Sequence, residues 1–129
     1  MYSEKRIFGN LGEEIGVRYL KDINFDIVDR NCLYKAGEID IVAKSGGVIH
    51  FIEVKTVRAV EENFTPSSSS YRAEDNVHEK KLRRIGIAIE LYLAEKNLEE
   101  EAWVFDVCIV NIYEQRKIAR VKFLRDIVI

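Results

Sequence analysis

Apolar residues recur along the chain at spacings that change from helical to strand-like. From about Glu4 to Lys21 they lie three or four residues apart, which predicts a helix whose buried face carries Phe8, Leu11, Ile15 and Tyr19. Alternating or continuous apolar runs at residues 25–32, 37–43 and 48–56 predict three strands.

The second half of the chain shows a similar change of spacing. Residues 57–76 have no periodicity, and a stretch this long in a compact domain is usually functional or disordered. Asn76 and Glu79 fit a capping box that opens a second helix. Apolar runs at 103–112 and 118–124 predict two further strands, the last at a sheet edge. The order α-β-β-β-α-β-β predicts an α/β fold.

Paired glycines separate the second and third predicted strands. A two-residue turn at Gly46–Gly47 would place Asp40 opposite Glu53 and Glu38 opposite Lys55. A turn one residue earlier would change the register but keep Asp40 and Glu53 on one face as diagonal neighbours. Both alternatives bring the two carboxylates together, because residues two apart in a strand share a face.

This pair of carboxylates predicts a metal site. Like charges opposed across strands are destabilising, and a divalent cation between Asp40 and Glu53 would remove the repulsion. Lys55 would be close enough to act on a metal-bound water or on a phosphate. In the alternative interpretation, Glu38 and Lys55 form an ordinary ion pair and the other two carboxylates are merely solvated.

Three glycines lie in the first predicted helix, at positions 9, 12 and 16. Each costs roughly 1 kcal/mol relative to alanine, which suggests that another backbone approaches the helix there. Glu13 projects beside Gly9 and Gly16, at the margin of the face that packs on the sheet.

Composition narrows the choice of protein class. The 129 residues fit one domain, 1–129, and no apolar stretch is long enough to cross a membrane. Charges near the N-terminus do not fit a signal peptide, so we expect a cytoplasmic protein. Cys32 and Cys108 are expected to be buried thiols rather than a disulfide, and the cysteine and histidine positions do not suggest zinc. The net charge of −2 gives no global signal for nucleic acid.

Short motifs occur in order along nearly the whole chain: Gly9-x-x-Gly12-Glu13, Arg30-Asn31, Gly37-Glu38-Ile39-Asp40, Phe51-Ile52-Glu53-Val54-Lys55-Thr56 and Phe105-Asp106-Val107. Asp40, twelve intervening residues and Glu53-x-Lys55 are similar to the signature of the PD-(D/E)xK nuclease superfamily. All the motifs together resemble the YraN family of predicted endonucleases.

The resemblance implies a restriction-endonuclease-like core, in which helices flank a mixed sheet. Holliday junction resolvases share this fold. It implies that Asp40 and Glu53 bind Mg²⁺ or Mn²⁺ with the carbonyl of Val54, that Lys55 assists the attacking water, and that Glu13 completes the site. The family pattern has arginines at the positions of Val57 and Val104. These two departures leave the metal site intact and affect the expected contacts with the substrate.

Basic residues outside this constellation are candidates for nucleic-acid binding. A cluster near the start of the second helix fits phosphate contacts and consists of Lys80, Lys81, Arg83 and Arg84. Arg58 and Arg72 bracket the irregular stretch and would grip a strand above the site. Charged residues also serve simply to solvate a helix face or a loop.

The remaining polar and aromatic residues are assigned structural roles. Asp106, in an apolar strand, is expected to form a hydrogen bond to a nearby helix or loop rather than to act in catalysis. His50 and His78 are expected to be ordinary polar residues. Packing is favoured over base stacking for most of Trp103, Tyr34, Tyr71 and Tyr92.

The sequence therefore predicts a metal-dependent endonuclease with a nucleic-acid partner, preferably branched or structured DNA by fold analogy. A homodimer would supply the paired sites that two-strand cleavage needs. One rival is a non-catalytic nucleic-acid-binding module on the same fold, whose binding would not depend on Asp40 or Glu53. Another rival is an interaction protein that binds neither metal nor nucleic acid.

Overall fold

The predicted order of elements is confirmed in the computed structural model, which describes residues 2–60 and 79–129. Arg72, Tyr71, His78 and the capping residue Asn76 lie outside the described residues. The helices are α1 (Glu4–Asp22) and α2 (Glu79–Glu95), and the strands are β1 (Asp26–Leu33), β2 (Glu38–Ser45), β3 (Val48–Arg58), β4 (Trp103–Tyr113) and β5 (Ile118–Leu124).

The strands form one mixed sheet in the order β1-β2-β3-β4-β5. Only β3 and β4 pair in parallel, while the other neighbours are antiparallel. One hydrophobic cluster joins the sheet to α1 and another joins it to α2. We call these the α1 side and the α2 side of the sheet. The predicted α/β class is confirmed, and β5 lies at an edge as expected.

The turn between β2 and β3 fixes the register of the candidate site. Gly46 and Gly47 both have positive φ, at 58° and 77°, as a type I′ turn requires. Pairing runs from Ser45 with Val48 to Ile41 with Ile52. This is the register of the first of the two predicted alternatives, and the ladder ends one residue before Asp40 and Glu53.

Helix α1 packs on the sheet through its glycines. Its buried residues are Gly12, Gly16, Val17 and Leu20. Leu11, predicted on the buried face, is 49% exposed, so the predicted face is rotated from the true one. A helix surface without side chains approaches a sheet more closely than one that carries leucine, which explains the rotation.

The structure also shows what approaches these glycines. A Cβ at Gly12 would lie 2.6 Å from Thr56 Cγ2, and one at Gly16 would lie 3.4 Å from Cys108 Sγ. Side chains of the sheet therefore fill the space, rather than the backbone that the sequence suggested. The expectation is wrong at Gly9, where a Cβ would meet nothing within 4 Å.

Asp106 has the structural role predicted for it. The side chain is fully buried on β4, and its Oδ1 accepts a hydrogen bond from the backbone N–H of Asp126 at 2.8 Å. Its Oδ2 lies 2.6 Å from Nδ1 of His50, whose ring also contacts Phe25. His50 is therefore one partner in a buried pair, which fits an ordinary polar role.

Other structural expectations are met in part in the described residues. Cys32 and Cys108 are free thiols as expected, and burial raises the pKa of Cys108 to about 12, but Cys32 is only partly buried. Tyr92 is buried and donates a hydrogen bond to Asp29 at 2.7 Å, while Trp103 packs edge-on against Phe51. No helix among residues 2–60 and 79–129 combines the length and apolarity needed to span a membrane.

Candidate active site

Asp40 lies where β2 and β3 stop pairing. The last pair in their ladder is Ile41 with Ile52, and the backbone N–H of Val54 instead donates to Asp40 Oδ2 at 2.8 Å. Ile39 packs on the α2 side but Ile41 packs on the α1 side, so strict alternation along the strand breaks at Asp40. The simple alternation that the two-residue spacing assumes therefore does not hold through Asp40. The Asp40 carboxylate lies between the two strands.

Glu53 lies on the α2 side of β3. Its neighbour two residues earlier, Phe51, belongs to the cluster beneath α2, and the Glu53 side chain is only 16% exposed. Lys81 reaches from the first turns of α2 and places its Nζ 3.1 Å from Glu53 Oε1. Lys81 was predicted to contact phosphate, and in this structure it contacts a candidate metal ligand.

Glu13 approaches from α1, as the helix geometry predicted. Its side chain is 13% exposed, and its Oε1 accepts a hydrogen bond from Arg30 Nη2 at 3.0 Å. The same Arg30 nitrogen also lies 2.6 Å from Glu14 Oε2. Sequence reasoning gave Arg30 no role. The Arg30-Asn31 motif could have pointed to this residue. In the fold β1 lies beside α1, so that Arg30 reaches Glu13 and Glu14.

The carboxylates influence one another electrostatically. Burial raises the pKa of Asp40 to about 7, against the opposing effect of the hydrogen bond from Val54. Glu53, Glu13 and Glu38 each raise it further, so all three negative charges act on Asp40. The carboxylates of β2, β3 and α1 thus form a single acidic neighbourhood.

Lys55 follows Glu53 by two residues on β3. Burial and the nearby ammonium of Lys81 lower the pKa of Lys55, while Glu53 opposes that change. The direction of this shift is the one that an acid–base role of a lysine requires.

The donor set suits a hard divalent cation, since Mg²⁺, Mn²⁺ and Ca²⁺ prefer carboxylate and carbonyl oxygens. Within residues 2–60 and 79–129, no three ligating side chains already converge on a point that would hold a metal. Glu53 is held by Lys81, and Glu13 is held by Arg30. A cation at Asp40 would therefore compete with Lys81 for Glu53 and with Arg30 for Glu13.

An open cleft of about 880 Å³ leads to Asp40 along the α1 side. Glu13 and Val54 also line it, and Lys5 and Arg6 supply positive charge. The cleft is roomy enough for an extended polar ligand to approach the carboxylates.

The predicted nucleic-acid contacts are dispersed. Lys80, Lys81 and Arg84 are exposed on the first turns of α2. Arg58, at the end of β3, pairs with Glu114 and lies 4.3 Å from the ring centre of Phe8. Arg72 lies outside the described residues. The structure thus brings Lys81 to the carboxylates, whereas Arg58 is engaged elsewhere.

The comparisons with known proteins agree on one family. The family model described as "Uncharacterised protein family UPF0102" matches residues 12–110. A UPF0102 protein of Wolinella succinogenes is 38% identical over 93 residues, which cover 72% of this chain and 76% of the relative. One from Campylobacter jejuni is 36% identical over 80% of this chain and 83% of its own. A third, from Geotalea daltonii, is 31% identical over 96% and 91%, respectively.

Proposed function

The chain belongs to the UPF0102 family, and we propose that it is a divalent-metal-dependent endonuclease that hydrolyses phosphodiester bonds in nucleic acid. One observation carries the proposal. Asp40 lies where the pairing of β2 and β3 ends, one residue beyond Ile41 and Ile52, and shares an open cleft with Glu13. Glu53, Glu13 and Glu38 surround this half-buried aspartate, and such a group of carboxylates is costly unless cations neutralise it.

In this proposal Asp40, Glu53 and Glu13 hold Mg²⁺ or Mn²⁺, with the carbonyl of Val54 as a further oxygen. A bound divalent ion would lower the pKa of a water molecule and polarise the phosphoryl oxygens. Lys55 would exchange a proton at Nζ or neutralise charge on the phosphate. The lowered pKa of Lys55 supports the first of these roles.

The substrate would approach where the pairing of β2 and β3 ends, because the cleft on the α1 side reaches Asp40 and Glu13 there and the exposed bases of α2 lie on the other side. Phosphate contacts are proposed for the exposed bases on α2, Lys80 and Arg84, and for Arg58 and Arg72. A preference for branched or structured DNA rests on fold analogy alone. DNA rather than RNA, a homodimer and a cytoplasmic location stay predictions from the sequence.

Cleavage of labelled DNA tests the proposal. We expect the wild type with Mn²⁺ to cut at least one of single-stranded, duplex and four-way-junction DNA. Asp40→Ala and Glu53→Ala should each lower the rate at least about 100-fold, since even groups that merely support metal ligands are commonly worth about 10–100-fold. Glu99→Gln, an exposed acidic position before β4, is the matched control and should cut like the wild type.

The outcomes separate the proposal from artefacts. Cutting that survives both alanine substitutions would mean a contaminant or another site. No cutting by the wild type, on RNA as well as DNA, would contradict the nuclease proposal.

A non-catalytic nucleic-acid-binding module is the second candidate. It is favoured by the ion pairs that Glu53 and Glu13 already form with Lys81 and Arg30. That candidate predicts DNA binding that is unchanged by Asp40→Ala and independent of Mn²⁺. Measuring DNA affinity by fluorescence anisotropy, with EDTA and with Mn²⁺, therefore distinguishes the two.

A further inference from the structure

The ion pair between Lys81 and Glu53 joins helix α2 to the candidate metal site. Lys81 Nζ lies 3.1 Å from Glu53 Oε1. We propose that Lys81 is a built-in counterion of the metal-free site, which the divalent ion displaces from Glu53 and which then binds a substrate phosphate. This inference rests on the proposed function, because it assigns a role to a residue of that same site.

The two partners differ in how firmly they are held. Glu53 is 16% exposed on the middle of a strand, whereas Lys81 is 53% exposed on the surface of a helix. Glu53 has little freedom to move away from Asp40. The lysine ammonium can leave for water at small cost, since it is a compact charge on a flexible stem.

Charge makes the exchange directional. In the metal-free protein, Lys81 partly neutralises Glu53 beside the acidic neighbourhood of Asp40. A divalent cation between those two carboxylates would neutralise Glu53 more fully and would repel the ammonium at short range.

Arg30 provides a contrast on the other side of the site. It contacts two carboxylates, Glu13 and Glu14, and its side chain is only 31% exposed. A planar guanidinium that bridges two acids is more firmly placed than a single lysine contact. Displacement is therefore assigned to Lys81, and Arg30 is left as the residue that positions Glu13.

The released ammonium would lie near the metal and face solvent. A phosphate bound at the metal would offer it an acceptor, and Lys81 would then contribute to substrate affinity only after the metal has bound. The proposal thus gives Lys81 opposite effects on its two ligands. It weakens the binding of the metal and strengthens the binding of the nucleic acid.

The test measures both affinities on the full chain. Mn²⁺ binding is followed by the electron paramagnetic resonance of the free ion, and DNA binding by fluorescence anisotropy with Ca²⁺ as the hard cation. Lys81→Met should bind Mn²⁺ roughly two- to fivefold more tightly, the range expected for removing a partly exposed ion pair. The same variant should bind DNA more weakly than the wild type.

Two controls isolate the ion pair from total charge. Lys81→Arg keeps the charge and should bind Mn²⁺ within about twofold of the wild type. Lys44→Met removes a charge from an exposed position of β2 that has no role in the site and should leave Mn²⁺ affinity unchanged. Thermal unfolding of each variant checks that the fold is intact.

Every result bears on the inference. Unchanged or weaker Mn²⁺ binding in Lys81→Met would overturn it, as would an equal gain in Lys44→Met. Failure of the wild type to bind Mn²⁺ would overturn the inference and the metal site together. Mn²⁺ binding that strengthens in Lys81→Met, with no DNA or RNA bound by any form, would keep the displacement but contradict the nuclease proposal and the phosphate-binding step.

Discussion

Two aspartates in the same sheet have opposite surroundings. Asp106 is fully buried and has a hydrogen-bond partner for each oxygen, His50 and the backbone N–H of Asp126. Asp40 accepts a hydrogen bond from Val54 but lies within electrostatic reach of three other carboxylates. One environment satisfies a negative charge, and the other accumulates more of it.

The difference shows how to separate structural from functional carboxylates. A buried acid that stabilises the fold is paired, because an unpaired charge in the interior is expensive. A buried acid among other acids lowers stability unless a cation is added. The arrangement at Asp40 therefore supports a role in binding a cation.

The largest expected effect on stability is at Asp106. Asp106→Ala should lower the free energy of unfolding by about 3 kcal/mol, because it leaves His50 and the N–H of Asp126 without their buried acceptor. Urea denaturation measures the loss. Asp26→Ala, at an exposed position of β1, should stay within about 0.5 kcal/mol of the wild type. Equal stability of the two variants would contradict the structural role of Asp106.

Replacing Asp40 should instead raise the free energy of unfolding, and only at higher pH. Its pKa is raised from 3.8 to about 7, so protonation favours the folded state. That contribution is complete below the unfolded pKa and is lost as the pH rises to about 7. In EDTA, Asp40→Asn should therefore be more stable than the wild type at pH 8 by on the order of 2 kcal/mol.

The measurement is urea denaturation of both proteins at several pH values. The stability difference between Asp40→Asn and the wild type should shrink as the pH falls from 8 towards 4. A difference that does not vary with pH would show that Asp40 titrates normally.

A smaller effect tests how α1 is positioned against the site. Gly12→Ala should cost about 2 kcal/mol, because its methyl group would overlap the side chain of Thr56. Gly9→Ala, where the space is open, should instead be neutral or stabilising by up to about 1 kcal/mol. Thermal or urea unfolding compares them. Equal costs would show that the close approach at Gly12 does not determine the packing of α1.

Much of this arrangement was predictable because it depends on local patterns. The pair Gly46 and Gly47 determines the turn, and the turn determines that Asp40 and Glu53 are opposite each other. The position of Glu13 followed from helical periodicity. These features require only the chain's own short-range geometry.

The unpredicted features depend on contacts distant in sequence. Neither Lys81 with Glu53 nor Arg30 with Glu13 could be paired without knowing how α2 and β1 lie against the sheet. The break in alternation at Asp40 arises where the pairing of β2 and β3 ends. Hydrophobic periodicity does not indicate where strand pairing ends. Hydrophobic periodicity places Leu11 on the buried face, whereas the structure buries Gly12 and Gly16 and leaves Leu11 exposed.

The most direct test of the account is Mn²⁺ binding to the metal-free protein, measured by electron paramagnetic resonance for the wild type, Asp40→Asn and Asp106→Asn. The account predicts that the wild type binds, that Asp40→Asn loses at least about tenfold in affinity, and that Asp106→Asn, while still folded, binds like the wild type. Equal Mn²⁺ affinity in the wild type and Asp40→Asn would contradict the central claim that the acidic neighbourhood of Asp40 is a metal site.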